Sequence, residues 1–190
     1  MLDPLIAALI FIINTVFGIY ILLIMLRFLL QLLGTSFRGE PILRLLLKVT
    51  DPPLHLLYIL IPGWKNVDIA AVFLMLLLKM LELGLTTWLL GQQYLSFIAL
   101  LILATANLLS LVIYIFIFAI IFEVILNLLT PQGNYNPLSN LLYLVTDPIL
   151  KPVRRKLPPI SGLDFSPMLV IFCLYLIDIL VVGMLRHIAS

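Results

Sequence analysis

Charge is scarce in this chain. Asp, Glu, Lys and Arg make up only 11% of its 190 residues, where a soluble domain carries about a quarter. Hydrophobic residues make up 64%, and the mean hydropathy is +1.25. One core cannot bury that excess, so the chain is expected to be dissolved in lipid. Cysteine is nearly absent: Cys173 stands alone inside an apolar run, which excludes a disulfide framework and a cysteine-based metal site. The two histidines, His55 and His187, are far apart and lack the spacing of a metal motif. No cofactor is expected. The net charge of +2 is too small for a nucleic-acid binder. Neither a basic n-region nor a small-residue cleavage site accompanies the first apolar run, so Met1-Leu2-Asp3-Pro4 is expected to open a retained span.

What is present is four long apolar runs. A hydrocarbon core of about 30 Å needs about 20 helical residues. The first run occupies about residues 5–33, with Leu5 to Leu26 its most apolar part. The second is about 67–90, although it holds Asp68, Lys79 and Glu82. Tyr94 to Leu129 is too long for one upright helix; Tyr94–Leu103 reads as an interfacial or extending turn and about 104–129 as the third span. The fourth is about 167–185. Eight of the 11 basic residues lie in two connecting segments: Arg38, Arg44, Lys48 and Lys65, then Lys151, Arg154, Arg155 and Lys156. Basic loops stay cytoplasmic, so both long loops are expected inside and both termini outside.

The chain also repeats itself. Thr50-Asp51-Pro52 recurs 96 positions later as Thr146-Asp147-Pro148. The same offset, without a gap, aligns Pro41 with Pro137, Leu54 with Leu150, Pro62 with Pro158, Asp68 with Asp164, Glu82 with Asp178, and Arg27 with Glu123. The expected fold is therefore an all-α membrane protein with four transmembrane helices. They form two parallel span-loop-span repeats, residues 1–93 and 94–190. Each loop is expected to carry a short interfacial helix begun by an aspartate cap and a proline, Asp51-Pro52 and Asp147-Pro148, and ended near Pro62 or Pro158. In the second loop Lys151, Arg154 and Arg155 share one face at i, i+3, i+4. Ile149, Leu150, Val153 and Leu157 lie opposite, which suits a helix lying in the membrane interface. Pro152 is expected to bend it.

The string from Asp147 to Pro167 resembles the YggT (YlmG) family of bacterial and plastid membrane proteins. Asp147, Pro148, Leu150, Pro152, Arg154, Arg155, Pro158, Gly162, Asp164, Ser166 and Pro167 carry the likeness. The first copy departs from it, with Tyr58 and Ile59 where members can hold a second Arg-Arg pair. The resemblance implies a small multi-span protein of the bacterial inner membrane, linked in different lineages to osmotic or ion homeostasis, cell-division gene neighbourhoods and thylakoid complex assembly. It brings no catalytic residue with it.

Ionisable residues inside spans are functional candidates. Lys79 can pair with Glu82 three residues on, or with Asp178 across the two halves; the set reads either as an ion path or as a charge network that locks the halves together. Arg27 and Glu123 occupy equivalent positions with opposite sign. They read as a cross-repeat salt bridge, or as an arginine snorkelling to the interface. Asn14, Gln31, Asn107 and Asn127 are expected to bond between helices. The cluster Lys151, Arg154, Arg155 and Lys156 fits anionic headgroups or an acidic protein surface. With no nucleophile motif, phosphate loop or metal-ligand cluster, no enzymatic activity is expected. The sequence points to a non-enzymatic scaffold or assembly factor working with membrane lipids and other membrane proteins, with homo-oligomers possible. A transporter or channel component for ions is the alternative.

Overall fold

A computed structural model describes residues 3–33, 41–60, 68–91, 96–129, 137–157 and 164–189. The described residues are helical throughout their regular structure. We number the helices α1 (Pro4–Leu32), α2 (Pro41–Leu60), α3 (Ile69–Leu89), α4 (Phe97–Leu129), α5 (Pro137–Lys156) and α6 (Ser166–Ala189). Four of them, α1, α3, α4 and α6, are long and apolar enough to cross a membrane. Their bounds follow the apolar runs, with one correction: from Phe97 onward the stretch read as an interfacial or extending turn is the first part of α4. Its first residues, Tyr94 and Leu95, lie outside the described residues.

Helix starts follow from local chemistry. Asp3 accepts the N–H of Leu5, and Pro4 supplies the preset φ of a first helical residue. Asp68 accepts the N–H of Ala71 at 3.0 Å and opens α3. Asp164 accepts the N–H of Ser166 at 2.9 Å where α6 begins.

Asp51, Pro52, Asp147 and Pro148 do not start helices. α2 and α5 begin ten residues earlier, at Pro41 and Pro137, and both run 20 residues straight through those motifs. Pro52, Pro53, Pro148 and Pro152 are interior. Each leaves the carbonyl four residues before it without its helical N–H. The helices survive because an apolar face is anchored on both sides of the break: Leu54 and Leu150 are completely buried, as are Thr50 and Thr146. The expected helix ends at Pro62 and Pro158 fall outside the described residues.

The chain forms two compact units, Met1–Leu109 with Val182–Ser190, and Ser110–Val181. In the first, α1 packs on α3 and α2 packs on both. Small side chains, Ala70 and Ala71, sit fully buried at the start of α3, where they let backbones approach. In the second unit Ile120 of α4, Leu150 of α5 and Val170 of α6 meet at a common centre, with Ile149, Val153, Ile171 and Leu174 around it.

Candidate functional site

The functional candidates are polar groups that the fold gathers where a loop helix meets the spans. In the first unit Arg27, near the end of α1, is 7% exposed. One of its nitrogens, Nη1, donates to Thr50 Oγ1 at 2.9 Å and to Asp51 Oδ1 at 2.6 Å. The Thr50 hydroxyl in turn donates a hydrogen bond to the Leu46 carbonyl, 2.7 Å away and four residues back on α2. Eight residues after Thr50, the Tyr58 hydroxyl donates to Asp68, the aspartate that caps α3. Burial and the adjoining Asp68 carboxylate push the Tyr58 phenol well above its usual 10.0, so it stays a donor at any physiological pH.

The second unit builds the same junction 96 positions on, with the charges exchanged. Glu123 of α4 stands where Arg27 stands, and the Thr146 hydroxyl donates to it, with the Leu142 carbonyl oxygen 2.9 Å off as a second acceptor. Arg154 stands where Tyr58 stands. Its Nε donates to Asp164 Oδ2 at 2.8 Å, and its Nη2 lies 3.4 Å from Glu123 Oε1. The cation of the junction thus comes from the span in the first unit and from the loop helix in the second. Both arrangements tie a loop helix to the span before it and to the start of the span after it.

Burial opposes the charge on Arg154, but its hydrogen bond to Asp164 and the neighbouring Glu123 and Asp164 charges outweigh it and raise its pKa. Burial likewise pushes Asp164 up, while hydrogen bonding from Ser166 and Arg154 prevails and holds its carboxyl below the ordinary 3.8. The sign is that of a depressed acid. The contact stabilises the fold above pH 3.8 and is lost as pH falls through the lower folded value. With both side chains about a third exposed, the contribution is small. A carbon NMR titration of the Asp164 carboxyl should find this depression, and Arg154→Gln should move the midpoint back toward 3.8.

The intramembrane charges have partners close by. Lys79 pairs with Glu82 at 2.7 Å within α3, and the two side chains are 19% and 7% exposed. Asp178 takes neutral partners: the Ser110 hydroxyl donates to Oδ1 and the Tyr114 hydroxyl to Oδ2 at 3.3 Å. A lysine three residues before a glutamate on one helix already faces it, and this is the local one of the two pairings expected for Lys79. Arg27 and Glu123 each have a partner within their own unit, Asp51 and Arg154 respectively. Asn107 does bond between helices, accepting from Arg186 at 3.2 Å.

Of the basic cluster, Arg154 is committed to Glu123 and Asp164, and Lys151 lies 3.5 Å from Asp147 one turn back. Arg155 and Lys156 are exposed at the end of α5. No group of three or more His, Cys, Asp or Glu side chains that could hold a metal occurs among the described residues. Thr50, Thr146, Tyr58, Asp68 and Asp164 were not singled out as site residues by sequence. The signal was there in the 96-residue recurrence of the threonine and of the second aspartate.

A model of the CCB3/YggT family matches residues 6–89 and again residues 102–185. An uncharacterized Pseudomonas aeruginosa protein is 37% identical over 177 residues, covering 93% of this chain and 89% of its own. The uncharacterized protein YggT of Escherichia coli K12 is 28% identical over 176 residues, covering 93% and 90%. An uncharacterized Haemophilus influenzae protein is 30% identical over 168 residues, covering 87% of each chain. No solved structure matches. With both junctions inside the matched segments, the chain belongs to the CCB3/YggT family.

Proposed function

We propose that this protein is a non-enzymatic membrane scaffold or assembly factor that presents two amphipathic helices, α2 and α5, to lipid and to other membrane proteins. The observation that carries this reading is the fate of the charges. Arg27, Glu123, Lys79 and Glu82 are all paired within their own unit: Arg27 and Glu123 tie spans to loop helices, and Lys79 and Glu82 neutralise each other within α3. In the same reading the chain is two parallel copies, 1–93 and 94–190, in the bacterial inner membrane. Both termini are outside, and α2 and α5 rest in the cytoplasmic interface. Arg155 and Lys156 face anionic headgroups. A second reading, an ion transporter component, is favoured by one detail: the buried Glu82 Oε2 has no hydrogen-bond partner.

Co-purification in mild detergent tests the scaffold, which requires a reproducible membrane-protein partner lost when α5 is altered. Flux of potassium, sodium or protons through the purified protein in liposomes would establish the transporter in its place. Topology is checked by reporters: fusions after Gly63 and Gly162 should be cytoplasmic, and those at Gln92 and after Ser190 external. All four positions lie outside the described residues. Replacing Arg155 and Lys156 together by Gln should weaken retention of phosphatidylglycerol by the full-length protein by about 2 kcal/mol, at ~1 per basic residue. The difference should shrink in high salt. Lys151→Gln should matter less, because Lys151 is shared with Asp147.

A further inference from the structure

The two second spans carry carboxylates 96 positions apart, Glu82 in α3 and Asp178 in α6, but only Glu82 has a counterion among the described residues. Glu82 has Lys79 three residues before it, at 2.7 Å. The position three residues before Asp178 is Tyr175. Asp178 takes part in none of the ion pairs among the described residues, and Arg186, two turns further along α6, donates to Asn107. A carboxylate inside a span without a compensating charge is costly.

The surroundings differ in a way that fits a replacement. Ser110 and Tyr114 of α4 bring one hydroxyl to each carboxylate oxygen of Asp178. The corresponding first-span positions are Asn14 and Gly18, and neither is bonded to Glu82. Asp178 also opens a five-residue π-helical segment, Asp178–Val182, whereas α3 is α-helical throughout. Such segments interrupt the regular backbone ladder and concentrate at functional sites.

We propose that Asp178, Ser110 and Tyr114 form a binding site for one alkali-metal cation of sodium size, which does for Asp178 what the Lys79 ammonium does for Glu82. Two carboxylate oxygens and two hydroxyl oxygens are hard donors, suited to hard cations and not to soft metals. Each hydroxyl donates to the carboxylate in the structure and has lone pairs to offer a cation that enters between them. The single negative charge selects a monovalent ion, since a divalent one would leave an unbalanced positive charge in the membrane.

The test is thermal unfolding of the full-length protein in an uncharged detergent, at constant ionic strength and several pH values, in sodium, potassium or choline chloride. Sodium should raise the midpoint saturably by about 5 °C over choline, and potassium by less. Asp178→Asn and Ser110→Ala should lose the sodium response. Tyr175→Lys, which supplies an ammonium three residues before Asp178, should unfold at the same temperature in all three salts, no lower than the parent in sodium. If Asp178→Asn does not fold, the other two variants decide. Three results would overturn the site: no sodium response in the parent, an equal response in every variant, or a midpoint that follows pH identically in the three salts, which would make a proton the counter-charge.

Discussion

Replacing Lys79 by methionine is expected to destabilise the protein by about 3–5 kcal/mol, the usual cost of removing one partner from a buried ion pair. Glu82 is 5% exposed and one of its oxygens already lacks a partner, so losing the ammonium strands a carboxylate among apolar side chains. The reverse change, Glu82→Gln, should cost less, because the long lysine stem can carry its charge toward the membrane surface. Combining Lys79→Met with Glu82→Gln should recover most of the loss, since neither charge remains. Thermal unfolding of the four proteins in detergent reads the cycle directly. Additive losses would mean that the pair is not a unit and that its burial carries no energetic weight.

A second large effect is expected at the α4–α5 junction, where the first unit can be copied into the second. Arg154→Tyr alone strands Glu123, which is 5% exposed, and should cost about 3 kcal/mol or more. Glu123→Arg alone sets two guanidinium groups side by side and should be at least as damaging. Together they restore the arrangement of the first unit: an arginine at position 123 facing Thr146 and Asp147, and a tyrosine at position 154 facing Asp164. The double variant should regain about 2 kcal/mol or more over the sum of the single losses, the range seen for residues in one network. A double variant no better than that sum would show that the two junctions are not interchangeable.

The spans were readable because an apolar run and a helix long enough for a bilayer are nearly the same statement. Apolarity alone predicts spans at about 5–33 and 67–90, and α1 and α3 are Pro4–Leu32 and Ile69–Leu89. The loop helices were harder. Thr50-Asp51-Pro52 has the chemistry of a helix start, and nothing local says that Leu45–Leu47, upstream, is already helical. The anchors that hold α2 through its prolines, Leu54 and Thr50, become visible only once burial is known. Partners were the least legible part. The 96-residue offset matched Arg27 with Glu123 and Glu82 with Asp178, which gives corresponding depth. It does not say which element lies alongside, and there Thr50, Asp51 and Arg154 decide. Asp68, which caps α3, and Asp164, which accepts the N–H of Ser166 at the start of α6, use the same physics that the sequence suggests for Asp51 and Asp147.

The span of each link along the chain has a consequence for synthesis. Arg27 meets Thr50 and Asp51 across 23 and 24 residues, Tyr58 meets Asp68 across 10, and Lys79 meets Glu82 across three. Chains grow at about 5–20 residues per second, so Arg27 waits about 1–5 s for its partners to be made. Every polar group of the first junction is complete before α4 leaves the ribosome. Contacts this local form quickly, and the first half can settle its charges during insertion without borrowing anything from residues not yet translated. Arg186, which bonds to Asn107 across 79 residues, is one exception, and Asp178 is another, since Ser110 lies 68 residues upstream. Its hydroxyl partners are already in the bilayer when the last span arrives, which makes α6 the segment whose entry closes the assembly.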